Sequence, residues 1–357
     1  MPLNTSPNSP PAGSRTPSCA ESRTPVVHNG GMFAIQAMSP GGPEVLAWNE
    51  VPAPECAPDH VIVKLHAAGV NFIDTYRRSG VYPMPFPHIP GSEGAGVVVE
   101  AGSEAGIEVG AHVAWAFSHS SYAELVAVPA KDCIPVPDGV SLEAAAALPL
   151  QGLTAHYLVR STYEVKAGDT ILITAGAGGV GGLVIQLAKS LGATVITTVG
   201  SPEKAEIARA HGADHVLDLS TMDNLTADIP AAVRAIAPEG VNASYDGIGK
   251  DTFDGTIACV RPRGIQVLFG GASGQVAPFD LQRLNAAGSI YITRPSLGHY
   301  LANRDELLWR ADELFGAIER GELAVPIGLI LPLADARRAH EALEARETTG
   351  KVILRAH

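Results

Sequence analysis

Two rhythms of apolar and polar residues run along this chain. From Phe33 to about residue 150, short apolar stretches alternate with turn residues: Val61-Ile-Val-Lys-Leu-His-Ala-Ala, Gly96-Val-Val-Val-Glu, His112-Val-Ala-Trp-Ala-Phe and Tyr122-Ala-Glu-Leu-Val-Ala-Val. Pro and Gly interrupt them roughly every eight to twelve residues, the spacing of a β-rich barrel or sandwich. From about 154 to 293 the rhythm changes. Apolar stretches at 171–174, 194–199, 215–217, 242–245, 265–269 and 289–292 alternate with helical periodicity. Strand and helix in alternation predict a doubly wound parallel sheet, so the fold class is α/β. The tail returns to helical patterns over 304–320 and 333–346, then closes on the strand-like Lys351-Val-Ile-Leu. That tail is expected to rejoin the first domain.

One segment of the second rhythm names a ligand. Ile171-Leu-Ile-Thr-Ala-Gly-Ala-Gly-Gly-Val-Gly-Gly is a strand running into a glycine turn, followed by a helix with Val184, Leu187, Ala188 and Leu191 on one face. Gly176, Gly178 and Gly181 satisfy G-x-G-x-x-G. The first two permit a tight turn and close approach to a pyrophosphate. The third seats the helix against the strand, with its positive end toward the phosphates. An NAD site places an acidic residue about 20 residues beyond the first glycine, on the ribose 2′-hydroxyl. Here that stretch is Thr197-Thr198-Val199-Gly200-Ser201, and the first carboxylate, Glu203, already belongs to the next helix. Ser201 and Lys204 suit a 2′-phosphate, where a charge-assisted contact contributes roughly 1.5–3 kcal/mol. The cofactor expected is NADPH.

Composition narrows the class. The 357 residues suggest two domains, and 46% apolar content supplies large cores. No uncharged apolar run reaches the roughly 18 residues of a membrane span. A net charge of −12, without a basic stripe, argues against nucleic acid. Cys19, Cys56, Cys133 and Cys259 are scattered, which fits a reducing, cytoplasmic setting. Residues 1–31 are rich in Pro, Ser, Thr, Asn and Gly and read as a disordered extension. Hydrolase and P-loop signatures are missing: Gly271-Ala-Ser-Gly is no nucleophile elbow, and neither Gly249-Lys250 nor Gly350-Lys351 is followed by Ser or Thr.

Several blocks together resemble the medium-chain dehydrogenase/reductase superfamily in its zinc-free quinone oxidoreductase branch. They are Gly41-Gly-Pro-Glu-Val-Leu, Gly69-Val-Asn-Phe-Ile-Asp-Thr-Tyr-Arg-Arg-Ser-Gly-Val-Tyr-Pro, Pro90-Gly-Ser-Glu-Gly-Ala-Gly, Gly152-Leu-Thr-Ala, Ala177-Gly-Gly-Val-Gly, Tyr245-Asp-Gly-Ile-Gly and Tyr291-Ile-Thr-Arg-Pro-Ser-Leu. The resemblance runs from Met32 to the C-terminus. It implies a GroES-like catalytic domain over 32–153, a Rossmann domain over 154–293, a return segment over 294–357, NADPH in the cleft and a homodimer. Zinc-dependent relatives carry Cys where this chain has Asn71, and Gly-His-Glu where it has Gly91-Ser92-Glu93. The resemblance therefore implies no metal.

By the same resemblance, Asn71, Phe72, Ile73, Asp74, Thr75 and Tyr76 line the nicotinamide and substrate pocket. Asn71 is placed to donate an amide N–H to an oxygen gaining charge, and Tyr76 to do so through its hydroxyl or to supply a proton. Asp74 itself reads best as a turn or buried acceptor. Thr154 answers to the carboxamide contact. Ala177, Gly178, Gly179, Val180 and Gly200 lie along the diphosphate and adenosine ribose, with Ser201 and Lys204 at the 2′-phosphate. Phe269, Gly270, Pro295, Ser296 and Leu297 wall the nicotinamide, and Arg346 returns toward the cofactor. Leu219 and His156 stand where relatives often carry Tyr. The activity implied is hydride transfer from NADPH to a quinone. Reduction of a polarised C=C bond in an enone, alkenal or acrylyl-type substrate is the alternative, and a non-catalytic dinucleotide- or RNA-binding protein is a third reading.

Overall fold

A computed structural model of the protein describes residues 31–345 and 347–356. The extension expected over residues 1–30, and Arg346, lie outside the described residues. Gly31, counted above with the extension, instead opens the strand Gly31–Ala37 and pairs with Pro52 in the antiparallel strand Leu46–Pro52.

Six parallel strands form the second domain's sheet. In space they run His215–Asp218, Thr194–Val199, Thr170–Ile173, Val241–Asp246, Val260–Leu268, Tyr291–Thr293. In chain order this is 3-2-1-4-5-6, whose ligand crevice opens at the strand ends where the order reverses. That point is the boundary between Thr170–Ile173 and Val241–Asp246, and the glycine turn leaves from it. Ile171, Leu172 and Ile173 are all wholly buried, because helices cover both faces of a parallel sheet. By contrast, Leu46–Pro52 alternates buried or half-buried with exposed positions, as a strand with one wet face does.

The other large sheet is mostly antiparallel: Ile327–Pro332, Lys351–Arg355, His60–Val70, Glu93–Ala101, His112–Ala116 and Ile134–Pro135, with Leu125–Pro129 also on His60–Val70. The C-terminal strand thus enters the sheet built by the first part of the chain, with Val352 opposite Val70.

Three local outcomes differ from the periodicity. Strand Val260–Leu268 begins five residues before the expected 265, and the register with Val241–Asp246 shifts there. Arg261-Pro-Arg-Gly reads as a turn, and Arg263 does take a positive φ of 59°, yet the strand continues through the bulge. Helices Leu142–Ala147 and Pro149–Tyr157 occupy the end of the stretch read as strands. Ser141 caps the first, accepting from Ala144 N–H at 3.2 Å, and Pro149 opens the second. The edge strand Ile327–Pro332 had no clear alternating signal.

Candidate active site at the domain cleft

The glycine turn is shaped by steric need. A Cβ on Gly176 would lie 2.2 Å from Thr197 Oγ1, and one on Gly181 would lie 2.2 Å from the Ala175 carbonyl oxygen. The first glycine therefore lets the turn close on the neighbouring strand, and the third lets helix Gly179–Ser190 close on the turn. Gly178 is different. A Cβ there would meet only Ala175 within 4 Å, which leaves its outer side open for a phosphate. Gly179 lies under the Gln151 side chain, whose Oε1 would be 1.9 Å from an added Cβ. Ala177 is buried within the turn and Val180 is half-buried in the helix's first turn.

At the end of strand Thr194–Val199, an added Cβ on Gly200 would meet nothing within 4 Å, so the backbone there is open to a ribose. Ser201 caps helix Pro202–Ala210 and accepts from Lys204 N–H at 3.4 Å. Glu203 also hydrogen-bonds Ser201, and that bond lowers the Glu203 carboxyl below its ordinary range.

The second part of the candidate site is the helix Phe72–Arg78. Asn71 caps it, and Asp74 accepts Asn71 N–H at 3.0 Å, closing one half of a capping box. The Asn71 amide faces other partners. Its Nδ2 donates to Glu93 Oε1 at 2.6 Å, and its Oδ1 accepts from Lys351 Nζ at 2.8 Å. Lys351 also pairs directly with Glu93, both side chains being buried. Glu93 Oε2 accepts Leu150 N–H at 2.7 Å.

Asp74 was grouped above with the pocket-lining residues, and its carboxyl turns out to be wholly buried. It accepts from Ser92 Oγ at 2.7 Å and Tyr122 OH at 3.1 Å. Burial pushes it up to about 6, opposed by the hydrogen bonds from Ser92 and the Asn71 backbone. The carboxyl holds the helix and does not face the cleft. Behind it, Arg78 Nη1 lies 2.9 Å from His340 Nδ1. A guanidinium only donates, so Nδ1 accepts and Nε2 carries the proton toward Tyr122 OH, 3.3 Å away. Burial and Arg78 push His340 down to about 3, which keeps it neutral.

Thr75 is buried, and its hydroxyl donates to Phe72 O at 2.8 Å. Thr154 Oγ1 donates to Leu150 O at 2.7 Å, which leaves its lone pairs to accept. Phe72 is exposed and Ile73 half-buried. Tyr76 is half-buried, edge-on to Tyr82 at 5.7 Å, and burial raises its pKa, so its hydroxyl stays protonated. The Arg294 charge acts against that rise. Arg294 Nη1 donates to Phe269 O at 3.2 Å and Pro295 O at 3.1 Å, joining the two segments expected at the nicotinamide. The Phe269 ring lies over Gly247, and a Cβ on Gly270 would meet Gly247 O at 2.4 Å. Pro295 and Leu297 are buried and Ser296 is exposed.

Glu93, Lys351, Arg294 and Gln151 join the candidate site through their contacts and were not singled out from the sequence. Glu93, Arg294 and Lys351 lie within segments with a recognisable pattern, and only their partners mark them. His156, noted as a departure, is a buried packing residue. Its ring bonds Glu313 at 2.9 Å and Arg310 at 3.0 Å, and burial pushes it down to about 4. It borders a cavity of about 460 Å³ with Arg160, Trp309 and Glu313. That cavity shares no residue with the glycine turn or with helix Phe72–Arg78.

The alcohol dehydrogenase GroES-like domain matches residues 57–138 and the zinc-binding dehydrogenase family matches 179–307. A quinone oxidoreductase of Pseudomonas aeruginosa is 46% identical over 90% of this chain and 98% of its own. The chain belongs to the quinone oxidoreductase family of the medium-chain dehydrogenase/reductase superfamily. A 2-haloacrylate reductase of a Burkholderia species is 39% identical over 88% of this chain and 96% of its own. A mycobacterial protein solved in complex with NADPH superposes with a TM-score of 0.87 at 48% identity, covering 91% of this chain and 99% of that one.

The zinc of the second family's description does not fit this chain's donor set. Asn71 and Ser92 are neutral, Glu93 is neutralised by an ammonium, and Ser92 is engaged by Arg77 at 2.8 Å and by Asp74. Among the described residues no group of three or more His, Cys, Asp or Glu side chains could hold a metal ion. Zinc needs three or four such ligands in tetrahedral reach.

Proposed function

We propose that the protein is an NADPH-dependent quinone reductase working without a metal. The observation that carries this is the pairing of an open dinucleotide turn with a donor set in which an ammonium, not a Lewis acid, sits on Asn71. A site without a Lewis acid suits acceptors that are already electron-poor.

The residues fit NADPH. Ala177, Gly178, Gly179 and Val180 present the helix N-terminus to the diphosphate, and Gly200 leaves room for the ribose. Ser201 and Lys204 serve the 2′-phosphate. When bound, the nicotinamide supplies the hydride. Thr154 accepts a carboxamide N–H, while Phe269, Gly270, Pro295, Ser296 and Leu297 wall the ring and exclude water. Asn71 and the protonated Tyr76 donate to the acceptor oxygen as charge develops there. Phe72 and Ile73 bound the substrate side, and Asp74 and Thr75 hold the helix that carries them.

Activated alkenes are the second reading. Reduction of a C=C bond conjugated to a carbonyl needs the same oxygen donors, and the Burkholderia relative's name is of that class. Steady-state oxidation of NADPH with 1,4-benzoquinone, 9,10-phenanthrenequinone and an alkenal panel tests both. Quinone turnover is expected to dominate, and turnover of alkenals alone would reverse the assignment.

The domain limits proposed are 32–153, 154–293 and 294–357. A homodimer in the cytoplasm is proposed with them. The sheet edge Tyr291–Thr293 is open, with Tyr291 and nearby Leu281 exposed, and Cys56, Cys133 and Cys259 are unpaired. Sedimentation at micromolar concentration checks the dimer, and a monomer there would refute it.

A further inference from the structure

Four distant segments meet on one carboxylate. Glu93 opens the strand Glu93–Ala101, and its side chain is wholly buried. Oε1 takes Asn71 Nδ2 and the Lys351 ammonium, while Oε2 takes the backbone N–H of Leu150. Lys351 opens the last strand of the chain and also donates to Asn71 Oδ1. Gly69, facing Glu93 across the sheet, keeps this room open: a Cβ there would lie 2.3 Å from Glu93 Oε1.

Stability alone does not account for the arrangement. A buried ion pair is often replaceable by apolar groups at no loss, so its presence points elsewhere. Its partners carry the site. Asn71 begins the helix bearing Phe72 and Tyr76, and Leu150 lies in the first turn of the helix bearing Gln151 and Thr154. The pair also decides the Asn71 amide orientation. An ammonium only donates and a carboxylate only accepts, so Oδ1 must face Lys351 and Nδ2 must face Glu93. An amide nitrogen has two hydrogens. With one on Glu93, the second remains for a substrate oxygen, and it is attached to a group that cannot flip.

We propose that Lys351 and Glu93 are positioning residues for reduction, holding the Asn71 amide in its donating orientation and tying it to the Thr154 helix. This rests on the quinone-reductase reading above. A chain with no pair to orient it would present the amide oxygen to the acceptor for part of the time, which repels developing negative charge.

The test uses the full chain. Lys351→Met and Glu93→Gln singly leave one buried charge unpaired and are expected to fold poorly. The double variant Lys351→Met/Glu93→Gln removes both charges. It is expected to keep a melting temperature near that of the unaltered protein and an NADPH Kd, measured by fluorescence titration, within about twofold. Its kcat is expected to fall about tenfold to a hundredfold, the scale of a misplaced reacting group. A folded double variant with unchanged kcat overturns the proposal. Asn71→Ala keeps the ion pair, so it reports even if the double variant fails to fold. Loss of kcat at unchanged NADPH Kd is expected, and normal kcat overturns the proposal. The unaltered protein is run beside them on the same acceptors. Its failure on every quinone refutes the functional reading itself, whereas normal turnover with indifferent variants refutes only the role of the pair.

Discussion

Gly181→Ala is the sharpest test of the glycine turn. The added Cβ would stand 2.2 Å from the Ala175 carbonyl oxygen and 2.8 Å from its carbon. Both are backbone atoms, so the clash cannot be relieved by a rotamer change. Restoring ordinary contact requires helix Gly179–Ser190 to retreat by roughly 1 Å, and overpacking of this kind costs about 1–3 kcal/mol. Alanine returns about 1 kcal/mol of helix propensity, so the net loss of stability is about 0–2 kcal/mol. Binding suffers more. The helix N-terminus carries the N–H groups aimed at the diphosphate, and losing one charge-assisted hydrogen bond costs about 1.5–3 kcal/mol, or 10- to 150-fold in Kd. Gly182→Ala is the internal control. The three atoms nearest its Cβ would all belong to the His211 ring, the first at 2.8 Å, and a side-chain tip can swing away. Thermal melting and NADPH titration of both variants are the assays. A Gly181→Ala protein with NADPH Kd within twofold of the unaltered protein would refute the claim that this close approach sets the phosphate site.

Lys204→Ala is expected to raise KM for NADPH about 10- to 150-fold and leave KM for NADH within about twofold, with kcat little changed, the pattern of lost uniform binding. Equal weakening of both coenzymes would make Lys204 structural. Purified protein is expected to contain far less than one zinc per chain by elemental analysis and to survive prolonged chelation, and stoichiometric zinc with chelator-sensitive turnover would contradict the donor-set argument. Asp74 should give stability a pH dependence. Its native pKa of about 6 lies above the ordinary 3.8, so the native state holds more protons between those values. Its contribution is full below about pH 4 and is lost as pH rises through 6, about 3 kcal/mol in all. Denaturant titrations from pH 4 to 7 should show that slope in the unaltered protein and its absence in Asp74→Asn, and identical slopes would refute the assignment.

Much of the cofactor half was legible because its signals are local. Strand Thr194–Val199 and the glycine turn depend on residues within about one βαβ unit, where periodicity and steric need are both written in neighbouring positions. Asp74 was readable as a buried acceptor because a capping box spans only three residues. The stretch expected at 265–269 begins at Val260 because its strand is held by partners on both sides, which tolerate a bulge at the polar Arg261-Pro-Arg-Gly.

The sequence by itself determined the α/β plan and the dinucleotide turn, because each is a matter of spacing or of which residue type stands at one place. Tertiary structure alone decided what Asn71 touches. Lys351 lies 280 positions from Asn71 and 258 from Glu93, and His156 meets Glu313 across 157 positions. No local preference encodes such meetings. The first two arise when the last strand enters the first domain's sheet and brings its lysine onto a carboxylate that would otherwise be buried without a counter-charge, and the third arises where helix Arg304–Glu319 packs on helix Pro149–Tyr157.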